Sequence, residues 1–335
     1  MKHNVKVTLL LILIFFLSQV MGLFIVKEYV HTERFLNETT GKEEVAVKYD
    51  QIEVVNQKIE PPKLNESTSF IYIMIVIVVA TLLVLLLVKF RNVALWKVWF
   101  SLSVFLSVYI ALFPFVKKIN LPYWYSVGIT VVLVLVLILF KIFKRNTIVH
   151  NATEIIMYGG IAAIFVPIMN VFSAIMLLIC ISIYDFIAVW RSKHMVAMAN
   201  FQTDSNVFAG LFLVYDKKTQ KIVKEFPKKK EDHEKPIHID TEAVKMKVPL
   251  PDTDMQMKQA ILGGGDIAFP LIFAATVLKA TASFPMTLII VLFSTIALSM
   301  LLFLSKPNKF YPAMPFISAG CFVGYGLVFL IQVLA

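Results

Sequence analysis

Long apolar runs recur along the whole sequence, and they restrict what the chain can fold into. Candidate spans cover roughly residues 5–26, 69–88, 93–116, 124–140, 148–167, 168–190, 261–279, 284–305 and 312–334. Many of them exceed the ~18–20 residues that cross a hydrocarbon layer as a helix. Hydrophobic residues make up 59% of the chain and charged residues 16%, against about 45–50% and about 25% in a soluble domain. A large soluble core is thereby excluded. The expected fold class is an all-α polytopic membrane protein with about nine transmembrane helices. The first run has a basic start (Lys2, Lys6) but is too long for a signal-peptide core and lacks a small-x-small cleavage site, so it reads as a retained signal anchor.

Charge sets the expected orientation. Net charge is +10, with Lys and Arg read as loop residues, which in such a chain marks topology rather than nucleic-acid binding. Lys2 and Lys6 precede the first span, Lys89 and Arg91 separate the second and third, Lys141, Lys144 and Arg145 follow the fourth, and Lys306 and Lys309 follow the eighth. A cytoplasmic N-terminus puts all of them inside, and nine spans then put the C-terminus outside. The break between the fifth and sixth spans is carried by Pro167 and Asn170. Three regions follow: an N-terminal membrane region (residues 1–190) with an external loop (27–68), a cytoplasmic hydrophilic loop (191–260), and a C-terminal membrane region (261–335). The external loop holds two chance-prone glycosylation sequons, at Asn37 and Asn65. In the inner loop, 207–215 reads as a strand or membrane-skimming segment, and Val244-Lys245-Met246-Lys247-Val248 alternates with strand period. Basic Lys228–Lys230 is able to touch anionic lipid head groups. Cys180 and Cys321 fall inside apolar runs, so no disulfide framework is expected.

Charges inside spans are costly and need a reason. Asp185 stands in Ile183-Tyr184-Asp185-Phe186, and Asp266 in Gly263-Gly264-Gly265-Asp266-Ile267. Glu154, near the start of the fifth span, reads as interfacial. Asp185 lies about five residues, roughly 7–8 Å of helix rise, from the inner edge of the sixth span, and Asp266 lies equally far into the seventh. Consecutive spans thus set two carboxylates at one depth, independently of the charges that gave the topology. Facing carboxylates in a low-dielectric site share a proton and titrate as a pair. In aspartic proteases, one such group takes a proton from water while the other donates to the scissile carbonyl. An Asp–Tyr hydrogen bond or an ion pathway would also account for them. The three glycines remove side chains where helices approach and permit non-helical backbone at membrane depth. Tyr184 is placed either to hydrogen-bond near the pair or to anchor at the interface. Pro312-Ala313-Met314-Pro315 opens the last span. Its prolines leave carbonyls without helical partners, able to line a site, or simply start a helix.

Taken together, these residues resemble the presenilin and signal peptide peptidase family of GxGD intramembrane aspartyl proteases. Tyr184-Asp185 matches its Tyr-Asp, Gly263–Asp266 its GxGD, and Pro312-Ala313-Met314 its Pro-Ala-Leu, with Met where the family has Leu, a nearly volume-conserving change. The resemblance implies Asp185 and Asp266 as the catalytic pair. It implies Tyr184, Gly263, Gly264, Gly265, Pro312, Ala313 and Met314 as substrate-binding or site-shaping residues. The N-in orientation is presenilin-like, and the small size is similar to that of archaeal homologues, implying an archaeal plasma membrane. No metal or organic cofactor is required. The expected partners are transmembrane-segment protein substrates and membrane lipids, with no nucleic acid and no obligatory accessory subunits; assembly as a homo-oligomer stays open. An extended substrate is expected beside Pro312–Met314, paired with the strand at 244–248.

Other membrane proteases fit poorly. His233-Glu234-Lys235-Pro236-Ile237-His238 has the wrong spacing for a zinc site and contains proline, none of the six histidines lies deep in a span, and no Lys follows Asp266 before Lys279 as prepilin peptidases require. A cation or proton transporter, a leak channel and an inactive scaffold remain as alternatives.

Overall fold

The structure, a computed structural model, describes residues 5–36, 43–54, 57–59, 62, 65–90, 93–143, 146–189, 209–216, 222–223, 257–305 and 311–334. Among them the helices are α1 (Val5–Lys27), α2 (Ser69–Phe90), α3 (Val93–Lys117), α4 (Tyr123–Phe143), α5 (Thr147–Phe165), α6 (Val171–Ile187), α7 (Gly264–Thr281), α8 (Phe284–Leu304) and α9 (Met314–Leu334). Eight of them are long and apolar enough to cross a membrane, and α6 has 17 residues. The chain is therefore an integral multi-pass membrane protein. Helices α1, α5, α7 and α8 carry the densest packing, with Phe15, Leu23, Tyr158, Leu271, Phe273 and Ile290 almost fully buried. Leu, Ile, Val and Phe left exposed on the outer faces, for example Val76 at 61% and Leu102 at 66%, suit lipid contact. α2 is the outlying helix. It is fastened chiefly at its start, where Ser69 Oγ meets Ser173 Oγ at 2.8 Å and the Phe70 amide donates to that hydroxyl at 2.9 Å.

The corner between α5 and α6 shows how the proline break is made tolerable. Pro167 sits in a short 3-10 turn, and Asn170 caps α6 by accepting from the Ser173 amide at 2.8 Å. Lys279, from the last turn of α7, donates to the carbonyls of Pro167 and Met169 at 3.2 and 3.1 Å and to Glu66 at 3.1 Å. A cation there satisfies carbonyls that no helix covers.

Both polar segments contain strands. Strands β1 (Val30–Leu36) and β2 (Glu43–Tyr49) form one antiparallel pair, and β3 (Ile52–Val54) and β4 (Gln57–Ile59) another. The first is fixed to the bundle by two phenols: Tyr29 donates to the Ile110 carbonyl at 2.6 Å and Tyr49 to that of Ala163 at 2.9 Å. Burial raises both hydroxyls above the usual tyrosine range, so they stay protonated donors. The second region holds β5 (Gly210–Asp216), β6 (Ile222–Val223) and β7 (Met257–Gly263), in the order β6-β5-β7 and antiparallel throughout. Of the segment 207–215, read as a strand or a membrane-skimming stretch, residues 210–215 lie in strand β5. The segment 244–248, the sequon at Asn37 and Lys228–Lys230 lie outside the described residues. Asn65 is exposed, and its side chain accepts from the Ser67 amide at 3.1 Å.

One boundary is corrected. The seventh span was expected to begin at Ile261, but Met257–Gly263 is extended and pairs with β5 along its whole length, from Gly210↔Gly263 to Asp216↔Met257. Helix α7 starts only at Gly264, which makes Asp266 its third residue.

Candidate active site

The two membrane aspartates come from opposite kinds of helix end. Asp185 lies two residues before the last residue of α6, and Asp266 lies in the first turn of α7. The two helices pack together, and the carboxylates are close enough to interact electrostatically. Asp185 is 8% exposed, and Asp266 is half-buried.

Asp185 is held by the start of α9. Its Oδ2 accepts from the Met314 amide at 3.1 Å, and the Ala313 amide also donates to its carboxylate. The first amides of a helix have no partner within it, and they form a natural anion cradle. Pro315, next in line, has no N–H to leave unpaired. The Ala313 carbonyl accepts from the Ile317 amide at 3.1 Å as the helix begins, and the Met314 amide is turned to the Asp185 carboxylate. Ser182, three residues before Asp185, reinforces the junction by donating to Ser318 Oγ of α9 at 2.9 Å. Pro312 and the Met314 side chain are buried, and Ala313 is half-buried.

Asp266 is held by its own chain. Gly263 is the N-cap of α7, with φ −63° and ψ 144°, and its amide donates to the Asp266 carboxylate. A third-position acid reaching back to the cap amide is half of a capping box, and a negative charge suits a helix start. A Cβ on Gly263 would stand 3.2 Å from Asp266 Oδ2; one on Gly264 would stand 2.8 Å from the Tyr158 hydroxyl; one on Gly265 would meet only Phe269 at 3.4 Å. The first two glycines therefore make room for named side chains, while the third has an ordinary neighbour.

The Tyr184 hydroxyl lies 3.4 Å from Thr81 Oγ1 on α2, a contact that joins α6 to α2.

A second polar cluster adjoins the pair and was not legible as such. Glu154 is fully buried within the protein. It pairs with Lys141, and Tyr158 donates to its other oxygen. Lys141 lies within α4 rather than in the following loop, with its side chain only 4% exposed and its ammonium 5.0 Å from the Phe100 ring centre. On the same face of α5, His150 Nε2 is 3.0 Å from the Gly210 carbonyl. Asn151 brackets Phe212, donating to its carbonyl at 2.9 Å and accepting from its amide at 3.2 Å. The spacing 150, 151, 154, 158 is helical, a pattern that could have marked the cluster in advance.

The family model described as signal-peptide peptidase, presenilin aspartyl protease matches residues 47–334. The chain belongs to that family. Two structures of a presenilin family intramembrane aspartate protease share its architecture. One, in space group C222, aligns over 94% of both chains with 14% identity and a TM-score of 0.55. The other, in space group P2, aligns over 96% of both with 15% identity and a TM-score of 0.57. No curated protein matches the sequence. As a member of the presenilin aspartyl protease family, the chain is an intramembrane aspartic endopeptidase that acts on transmembrane protein substrates.

Proposed function

We propose that Asp185 and Asp266 are the catalytic pair of this protease. The observation that carries the reading is their convergence: α6 ends and α7 begins with carboxylates on two helices packed together and near enough to interact electrostatically, with the Met314 amide donating to Asp185. The pair shares one proton. One carboxylate removes a proton from a water held between them as its oxygen attacks the scissile carbonyl carbon, and the other protonates the carbonyl oxygen. Collapse of the tetrahedral intermediate breaks the C–N bond, and the returned proton leaves with the amine. Tyr184, the glycines and Pro312–Met314 shape the surroundings rather than take part in proton transfer.

A helical substrate shields its own peptide bonds, so it must be extended before attack. Strand β7 runs directly into Asp266, and among the described residues its second edge carries no strand. An unwound substrate adding to that edge would gain backbone hydrogen bonds beside the carboxylates. We further assign the protein to an archaeal plasma membrane with its N-terminus cytoplasmic, working without obligatory accessory subunits.

The test is cleavage of a detergent-solubilised single-span substrate by wild type, Asp185→Ala and Asp266→Ala, each with and without a transition-state analogue of aspartyl proteases. Loss in both variants, with inhibition of wild type, is the expected result. Cleavage surviving either substitution refutes the assignment.

A further inference from the structure

In the GxGD pattern of this chain the variable position is itself a glycine, Gly264. The space a side chain would fill there is taken by Tyr158 of α5, whose hydroxyl, Cε1 and Cζ would lie 2.8, 3.3 and 3.4 Å from a Cβ at that position. Tyr158 is 2% exposed and cannot swing away: its hydroxyl donates to Glu154, which is fully buried and paired with Lys141. The hydroxyl is also within electrostatic reach of the Asp266 carboxylate.

The same helix governs the strand that leads into the site. His150 and Asn151 grip β5 at Gly210 and Phe212, and β5 pairs Gly210 with Gly263 and Leu211 with Leu262. The approach to Asp266 is therefore set from α5 twice, once through β5 and β7, and once by direct contact at Gly264.

We propose that Tyr158, locked by Glu154 and Lys141, is a positioning residue that sets the first turn of α7 and so aims Asp266 at Asp185. It touches neither substrate nor the reacting atoms in this role. It acts through the Gly264 backbone, and the proposal rests on the reading of Asp266 as half of the catalytic pair. Small displacements of a reacting group are costly, with about 1 Å able to remove about 100-fold in rate.

The full-length protein in detergent, with a single-span peptide substrate, provides the test through separate kcat and KM values. Tyr158→Phe keeps the ring but frees Gly264 from the locked hydroxyl, and is expected to lower kcat about tenfold with KM little changed. Gly264→Ala drives a methyl into the hydroxyl and is expected to lose more, about 100-fold in kcat. Tyr158→Phe combined with Gly264→Ala relieves the closest contact, since the nearest remaining ring carbon would be 3.3 Å away and need give by only a few tenths of an ångström. The double variant is expected to recover activity above Gly264→Ala alone, and to recover folding as well if the single variant elutes as aggregate. A double variant no better than Gly264→Ala, or a Tyr158→Phe enzyme with wild-type kcat, overturns the proposal. Asp266→Asn separates the two levels: an active Asp266→Asn enzyme overturns the catalytic assignment, whereas an inactive one beside a failed rescue overturns only the role of Tyr158.

Discussion

The two aspartates look alike in sequence and are held in unlike ways. Asp185 ends its helix and depends on another: its donors, Ala313 and Met314, stand at the start of α9, and the Met314 bond spans 129 residues of chain. Asp266 starts its helix and is oriented by an amide three residues earlier. One carboxylate therefore reports on how α6 and α9 are assembled, the other on local backbone and its neighbour α5. The pair thus combines a tertiary constraint with a local one.

Substitutions that strike one side only test this difference. The largest effect is expected from Met314→Pro, which deletes an amide donor to Asp185 at a helix position that tolerates proline. A hydrogen bond to a charged group is worth about 1.5–3 kcal/mol, so kcat should fall by at least about tenfold while thermal unfolding stays cooperative. An enzyme with normal turnover would mean that the α9 amides do not orient Asp185. Gly263→Ala should act on Asp266 alone. Its Cβ would crowd Oδ2 at 3.2 Å, and a shift of a few tenths of an ångström should lower kcat a few-fold without changing substrate affinity. Equal losses in kcat/KM from a raised KM would argue instead that residue 263 contacts substrate. The smallest effect belongs to Ser182→Ala, which cuts the tie to Ser318. Interhelical hydrogen bonds in membranes average about 0.6 kcal/mol, so a slight drop in Tm with near-normal turnover is expected, and a large drop would show that this tie holds α6 against α9.

Much of the bundle was legible because hydropathy along a membrane chain is a strong, local signal. The span edges at Val5, Ser69, Val93 and Phe284 follow directly from apolar runs. Asp185 and Asp266 stood out for the same reason: a charge in such a run has few explanations. What escaped was decided by pairing over distance. Met257–Gly263 carries no clear alternation, and its partner β5 ends far earlier in the chain, at Asp216, so Ile261 and Leu262 read as the start of a helix until the sheet is seen. The pairing of Glu154 with Lys141 was hidden because each charge was weighed alone. Paired with one another, and with Tyr158 donating a hydrogen bond to Glu154, they sit where neither could sit singly. The Met314 amide that reaches Asp185 also escaped, since sequence shows which amides a proline removes but not where the neighbouring amides point.

One contact of the first helix carries a consequence for how the molecule is made. Gln19 is fully buried in α1 and donates to the Ile267 carbonyl at 2.8 Å, across 248 residues of chain. The partner, in α7, is synthesised only after α2 to α6, so an amide side chain that enters the bilayer first waits there longest for its acceptor. The region matched by the family model begins at residue 47, yet α1 packs on α5, α7 and α8. What is recognisable by ancestry is thus smaller than what must assemble: the bundle closes only when one of its last staves reaches its first.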